Sequence, residues 1–154
     1  MLINHTHLKA LYMIKTKISK ILVPIDGSKN SFVGLDNAIY IARECGSTVT
    51  GIHVVSIYPQ HLGDLVTPLK AKLLQNAVKF MEKAKVICAQ NGIVFRHKIL
   101  YGEAKLEIVD FAKQNKFDLI VIGSRGLGGV KEALLGSVSN AVVHKSHVPV
   151  LVVK

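Results

Sequence analysis

Apolar positions along this chain follow two alternating rhythms. Short runs of strand type stand at 21–25 (ILVPI), 48–57, 93–101, 117–122 and 148–153. Their brevity and their content of Val and Ile predict strands. Between them, apolar residues recur three and four apart: Phe32, Leu35, Ile39 and Ala42, then Leu73, Leu74, Ala77, Val78, Met81, Ala84 and Ile87 or Cys88. That period predicts helices over 31–45 and 69–90, with two more over 103–114 and 137–144. Gly46 closes the first helix and Asn91-Gly92 the second. A polar, proline-containing stretch, 58–68, leads into the long helix. Strands alternating with helices predict an α/β fold whose parallel sheet is covered by helices on both faces. Right-handed crossovers then place any ligand at the carboxyl ends of the strands. Pro24 is out of place in this pattern, because it cannot donate to a sheet ladder.

The 154 residues fit one domain. Residues 1–19 match none of these elements, and Met13 would itself serve as a start, so we expect a poorly ordered extension at 1–19 and an ordered domain at 20–154. The net charge is +10, yet the lysines are scattered, and aromatic residues are only 6% and not interleaved with basic ones. A nucleic-acid surface is therefore not expected, although the positive field would help to attract a polyanionic ligand. Cys45 and Cys88 lie in helical patterns without a CxxC, which predicts buried thiols rather than a disulfide or metal site. No apolar run reaches membrane-spanning length and no signal peptide is evident, so no membrane partner and a cytoplasmic location are expected.

The chemistry is carried by Gly123-Ser-Arg-Gly126, followed after nine residues by Gly136-Ser137 at a helix start. Glycine lets the backbone approach a ligand closely, and a helix N-terminus offers unpaired N–H groups and partial positive charge. Together they read as a phosphate-binding loop. It is not a P-loop: Gly123 and Gly128 have the spacing, but Gly129 and Val130 follow in place of Lys and Ser. The alternative is a flexible connector, although the glycines bracket a helix-like turn at 130–135 rather than scattering. Arg125 and Lys131 would neutralise phosphate charge, with Lys131 the better candidate for simple exposure. Ser124 and Ser137 would donate to phosphate oxygens or help hold a cation, unless Ser137 is only a helix cap. Pro24, Ile25 and Asp26 stand at the carboxyl edge of the first strand, where they are expected to join the same site. Asp26 is either an Asx-turn or cap residue, or a carboxylate facing a ribose or an exocyclic amine; Ser28 as the cap would leave it freer. Val54 reaches that edge on the second strand, where its backbone would meet a base edge unless it is plain core.

Pro-x-Asp-Gly-Ser after the first strand, His-Val on the second, and Gly-x-x-Gly with the later Gly-Ser before the terminal Val-Pro-Val-Leu-Val-Val together resemble the universal stress protein family. The similarity covers about 20–154 and is to the ATP-binding branch. The resemblance implies an adenine-nucleotide α-hydrolase-like (Rossmann-like) fold, a five-stranded parallel sheet in the order 3-2-1-4-5. It implies that Asp26 and Val54 contact adenosine, and that Gly123, Ser124, Gly126, Gly136, Ser137 and Val138 line ribose and phosphates. Mg²⁺ or Mn²⁺ would accompany the triphosphate, and a homodimer would form through 148–153. Two functions remain open: an ATP-binding regulatory module of the stress response, or a slow ATPase or nucleotide-transfer enzyme of the same fold. Asp26 is the one candidate base, at the adenosine end, and neither an HxGH nor an SGGxDS signature is present, so no catalytic residue is assigned. An acidic cluster fit for a phosphoacceptor is missing as well.

Overall fold

The computed structural model describes residues 17–56, 68–128 and 134–154. In chain order the elements are β1 (Lys20–Pro24), α1 (Lys29–Cys45), β2 (Thr48–Val55), α2 (Pro68–Gln90), β3 (Phe95–Tyr101), α3 (Ala104–Gln114), β4 (Leu119–Gly123), α4 (Ser137–Lys145) and β5 (Val150–Val153). All strand pairs are parallel and the sheet order is β3-β2-β1-β4-β5. Alternate side chains of each strand feed opposite layers. Ile21, Val23, Val49 and Val121 pack with Leu35, Ala38, Ile39 and Ala42 of α1 and Ala77, Met81, Ala84 and Cys88 of α2. Leu22, Ile52, Ile120 and Ile122 pack on the other face with Ile108, Val109 and Ala112 of α3 and Val142 of α4. The helices do lie on both faces, and the order is the one the family resemblance implied.

The last three strands prove shorter than the apolar runs that announced them, each for a local reason. Ile93 does not open β3, because its N–H caps α2 at the Cys88 carbonyl, 2.9 Å away. Phe117 is buried beside Phe111 before β4 begins. Asp118 accepts the Ser19 and Lys20 amides at 2.8 and 2.9 Å, tying the two strand starts together. Val148 is held in a turn by the Ser146 hydroxyl, so β5 begins at Val150. The buried stripe of α2 is narrower than expected: Leu73 and Val78 are 36% and 51% exposed. Residue 57, the expected end of the second strand, lies outside the described residues.

At the chain's described start, Ile18 packs against the α1–α2 layer and the Ser19 carbonyl accepts the Thr48 N–H. Both cysteines are free thiols; Cys45 is half-buried and Cys88 buried. Burial, with the nearby Asp36 charge adding, pushes the Cys88 thiol from its ordinary 9.0 up to about 12.

Pro24 sits in the central strand and has a positional meaning there. Alternate residues of a strand bond to opposite neighbours, and Lys20 already turns its carbonyl to Asp118 at the start of β4. Pro24, four residues on, turns its missing N–H to the same side. Pairing of β1 with β4 covers Ile21↔Leu119 and Leu22↔Ile120, whereas pairing with β2 runs from Lys20↔Thr48 to Pro24↔Ile52. Between β1 and β4 the sheet therefore opens at its carboxyl edge, where the chain order reverses.

Candidate functional site

A cavity of about 500 Å³ occupies that opening, a volume suited to a small-molecule ligand. Pro24, Ile25 and Asp26 enter it at and just beyond the end of β1, and Val54 near the end of β2. Gly123, Arg125 and Gly126 line it at and just beyond the end of β4, and Gly136, Ser137 and Val138 at the start of α4. Ser124 is the expected site residue that does not line it. Its N–H continues the sheet to the Val153 carbonyl, and its own carbonyl accepts the Gly136 N–H and the Ser139 hydroxyl at 2.7 and 2.6 Å. Its side chain is thereby turned into the interior, and the hydroxyl is buried with no hydrogen-bond partner among the described residues. Lys131 lies outside the described residues. Ile108 and Ala104 of α3 also reach the cavity. The sequence reading placed them only within the helix at 103–114, and nothing local told which helix end would overhang the strands.

Asp26 binds the first loop to the glycine loop. Its Oδ1 accepts the Ser28 N–H at 2.9 Å and its Oδ2 accepts the Leu127 N–H at 3.1 Å. Ser28 is indeed the cap of α1, its hydroxyl accepting the Ser31 N–H at 3.2 Å. Asp26 is nevertheless not left free, as the sequence pattern had implied. A carboxylate has lone pairs beyond these two bonds and can still accept from a ligand.

The glycines of the motif divide by what a Cβ would meet. At Gly123 it would stand 2.6 Å from the Asn30 carbonyl oxygen, so this glycine serves the packing of α1 on β4. At Gly126 it would stand 2.4 Å from Asp26 Oδ2, so its bareness makes room for that carboxylate. At Gly136 the nearest atoms are 3.4 and 3.5 Å away, an ordinary contact. Gly136 is the N-cap of α4 with no side-chain hydrogen bond, and Ser137, the first helical residue, is exposed. The amides of Ser137, Val138 and Ser139 have no intrahelical acceptor, as at any helix start, and point their partial positive charge at the cavity's end.

At the opposite end, the β1–β2 ladder stops in an unusual way. Ile25 N–H donates to the Ile52 carbonyl at 2.8 Å. The next rung of a parallel ladder would be Val54 N–H to the Ile25 carbonyl. That carbonyl is instead held by His53 Nδ1 at 2.7 Å. A carbonyl only accepts, so Nδ1 carries the hydrogen. Val54 thus turns an N–H and a C=O toward the crevice, and no described residue accepts the one or donates to the other.

Residues 17–154 match the universal stress protein family. The chain belongs to that family. Universal stress protein MJ0531 of Methanocaldococcus jannaschii is 38% identical over 141 residues, covering 88% of this chain and 81% of its own. Universal stress protein YxiE of Bacillus subtilis is 34% identical over 149 residues, covering 88% and 99%. The solved structure of MJ0577 superposes with a TM-score of 0.80 at 33% identity, over 90% of this chain and 97% of that one. A universal stress protein solved in complex with cAMP has a TM-score of 0.72 at 25% identity, over 88% and 97%. One from Archaeoglobus fulgidus, in complex with dAMP, shares the fold with a TM-score of 0.68 at 23% identity, over 88% and 98%. The universal stress protein fold thus carries this site at the carboxyl edge of its sheet. Among the described residues no helix is long and apolar enough to cross a membrane.

Proposed function

We propose that this chain is an ATP-binding regulatory module of the stress response. The observation that carries this reading is the pairing of two complementary ends in one cavity: the bare N-terminus of α4, and the donor–acceptor pair of Val54. Adenine presents N1 as acceptor beside its N6 amine as donor, which complements the Val54 N–H and C=O. The apolar walls from Ile25, Ile52, Ile108 and Ile122 suit the faces of a purine. The α4 amides, with Arg125 and the Ser137 hydroxyl, suit phosphate oxygens. Adenine nucleotides in structural neighbours support the same class of ligand.

Mg²⁺ or Mn²⁺ would accompany the phosphates, because the oxygen donors of Asp26 and Ser137, both lining the cavity, are of the kind such hard cations take. The regulatory reading is preferred over an enzymatic one because Asp26, the candidate base, already accepts two backbone amides. The assembly that accompanies this reading is a homodimer through the edge strand β5. Mass spectrometry of the small molecule that co-purifies with the protein tests the ligand class. An adenine nucleotide is expected; a lipid or another non-nucleotide ligand in the cavity would contradict the proposal.

A further inference from the structure

We propose that His53 sets the base preference of this site by taking the Ile25 carbonyl out of the sheet. The inference rests on the adenine-nucleotide reading and names the residue that makes it work. Two observations place the imidazole. Its Nδ1–H donates to Ile25 O at 2.7 Å, and its ring stands edge-on to Phe80, centroids 5.6 Å apart and planes at 60°. Phe80 also closes on Gly27, whose φ is +88° and where a Cβ would come within 2.3 Å of the ring. The turn after β1, the phenyl ring of α2 and the imidazole of β2 are therefore fixed together.

The consequence follows from the alternation of the ladder. Thr48 N–H bonds to Ser19 O and Ile25 N–H to Ile52 O, so the even residues of β2 address β1. Val54 is the next even residue, and Ile25 O is the acceptor in its register. A carbonyl in this position seeks a donor, because leaving it without one costs stability. With His53 present the imidazole supplies the donor and Val54 N–H stays available. Without it, Ile25 O would draw in Val54 N–H, closing one more rung and removing the group that meets purine N1. Hypoxanthine in the same pose presents N1–H where adenine presents a lone pair, so two donors would oppose each other. His53 in this account is a positioning residue: it leaves recognition to Val54 and keeps Val54 open.

The test compares wild type with His53→Phe and His53→Asn. Phenylalanine keeps a ring against Phe80 but has no donor, whereas asparagine places an N–H where Nδ1 stands. Amide hydrogen exchange of Val54 in the ligand-free protein is read alongside AMP and IMP affinities. Wild type and His53→Asn should show rapid Val54 exchange and favour AMP. In His53→Phe, Val54 exchange should slow, and the AMP-to-IMP preference should fall by about tenfold. Equal Val54 exchange in all three proteins, or equal loss of AMP and IMP binding in His53→Phe, would overturn the proposal. Wild-type protein that binds neither nucleotide would overturn the nucleotide reading and with it the base preference. The exchange data would still report whether His53 holds the Ile25 carbonyl.

Discussion

Asp26 and Gly126 act as one unit although they are a hundred residues apart in the chain. The carboxylate accepts the Leu127 N–H only because Gly126 leaves it room. A methyl group at Gly126 would push Asp26 aside, so Gly126→Ala and Asp26→Ala should share a phenotype. Each should weaken ATP and AMP to a similar degree, by roughly tenfold, as expected when a hydrogen bond to a charged group is lost. Fluorescence or calorimetric titration of both nucleotides checks this. Normal binding with lowered thermal stability would instead mean that Asp26 only ties the two loops together. Residue type alone brought both positions to notice. Their coupling was not legible, because no pattern within one segment reports a bond between the first and fourth strand ends. Ser124 failed for a related reason: its place in the glycine motif suggested a phosphate contact, but the sheet hydrogen bond to Val153 turns the side chain inward.

At the scale of elements, the alternation of short apolar runs with helical periods identified every strand and helix described. Element ends were less legible, because an apolar residue that caps a helix or fills a corner looks the same in sequence as one in a strand; Ile93 and Phe117 are examples. Pro24 looked like an objection to a central strand and turned out to end the pairing with β4 where the cavity opens. The meeting of α1 and β4 depends on Gly123, whose Cβ would meet backbone rather than a movable side chain. Gly123→Ala should therefore cost about 1–3 kcal/mol, in the range of other overpacked sites. Gly136→Ala should leave the melting temperature nearly unchanged. Thermal unfolding of the two variants side by side distinguishes a packing glycine from a cavity glycine; equal destabilisation would refute the distinction.

For the whole molecule, the observed order leaves β3 and β5 as the sheet edges. An apolar edge strand with open N–H and C=O groups favours pairing with another chain, which is why we propose a two-fold dimer through β5. Charges at Val150 and Val152 would strike residues that pack against the α3–α4 layer. Leu151 is 38% exposed and makes the cleaner probe. Light scattering should give about twice the 16.8 kDa chain mass for wild type, and close to the single mass for Leu151→Lys with the fold retained. A monomeric wild type at micromolar concentration would contradict the dimer.

Calorimetric titration of the folded wild-type chain with ATP in the presence of Mg²⁺ tests the central claim most directly. The account predicts saturable binding at one site per chain, weakened roughly tenfold by Ser137→Ala, which removes a hydroxyl from the start of α4. Folded protein that takes up no ATP would contradict it.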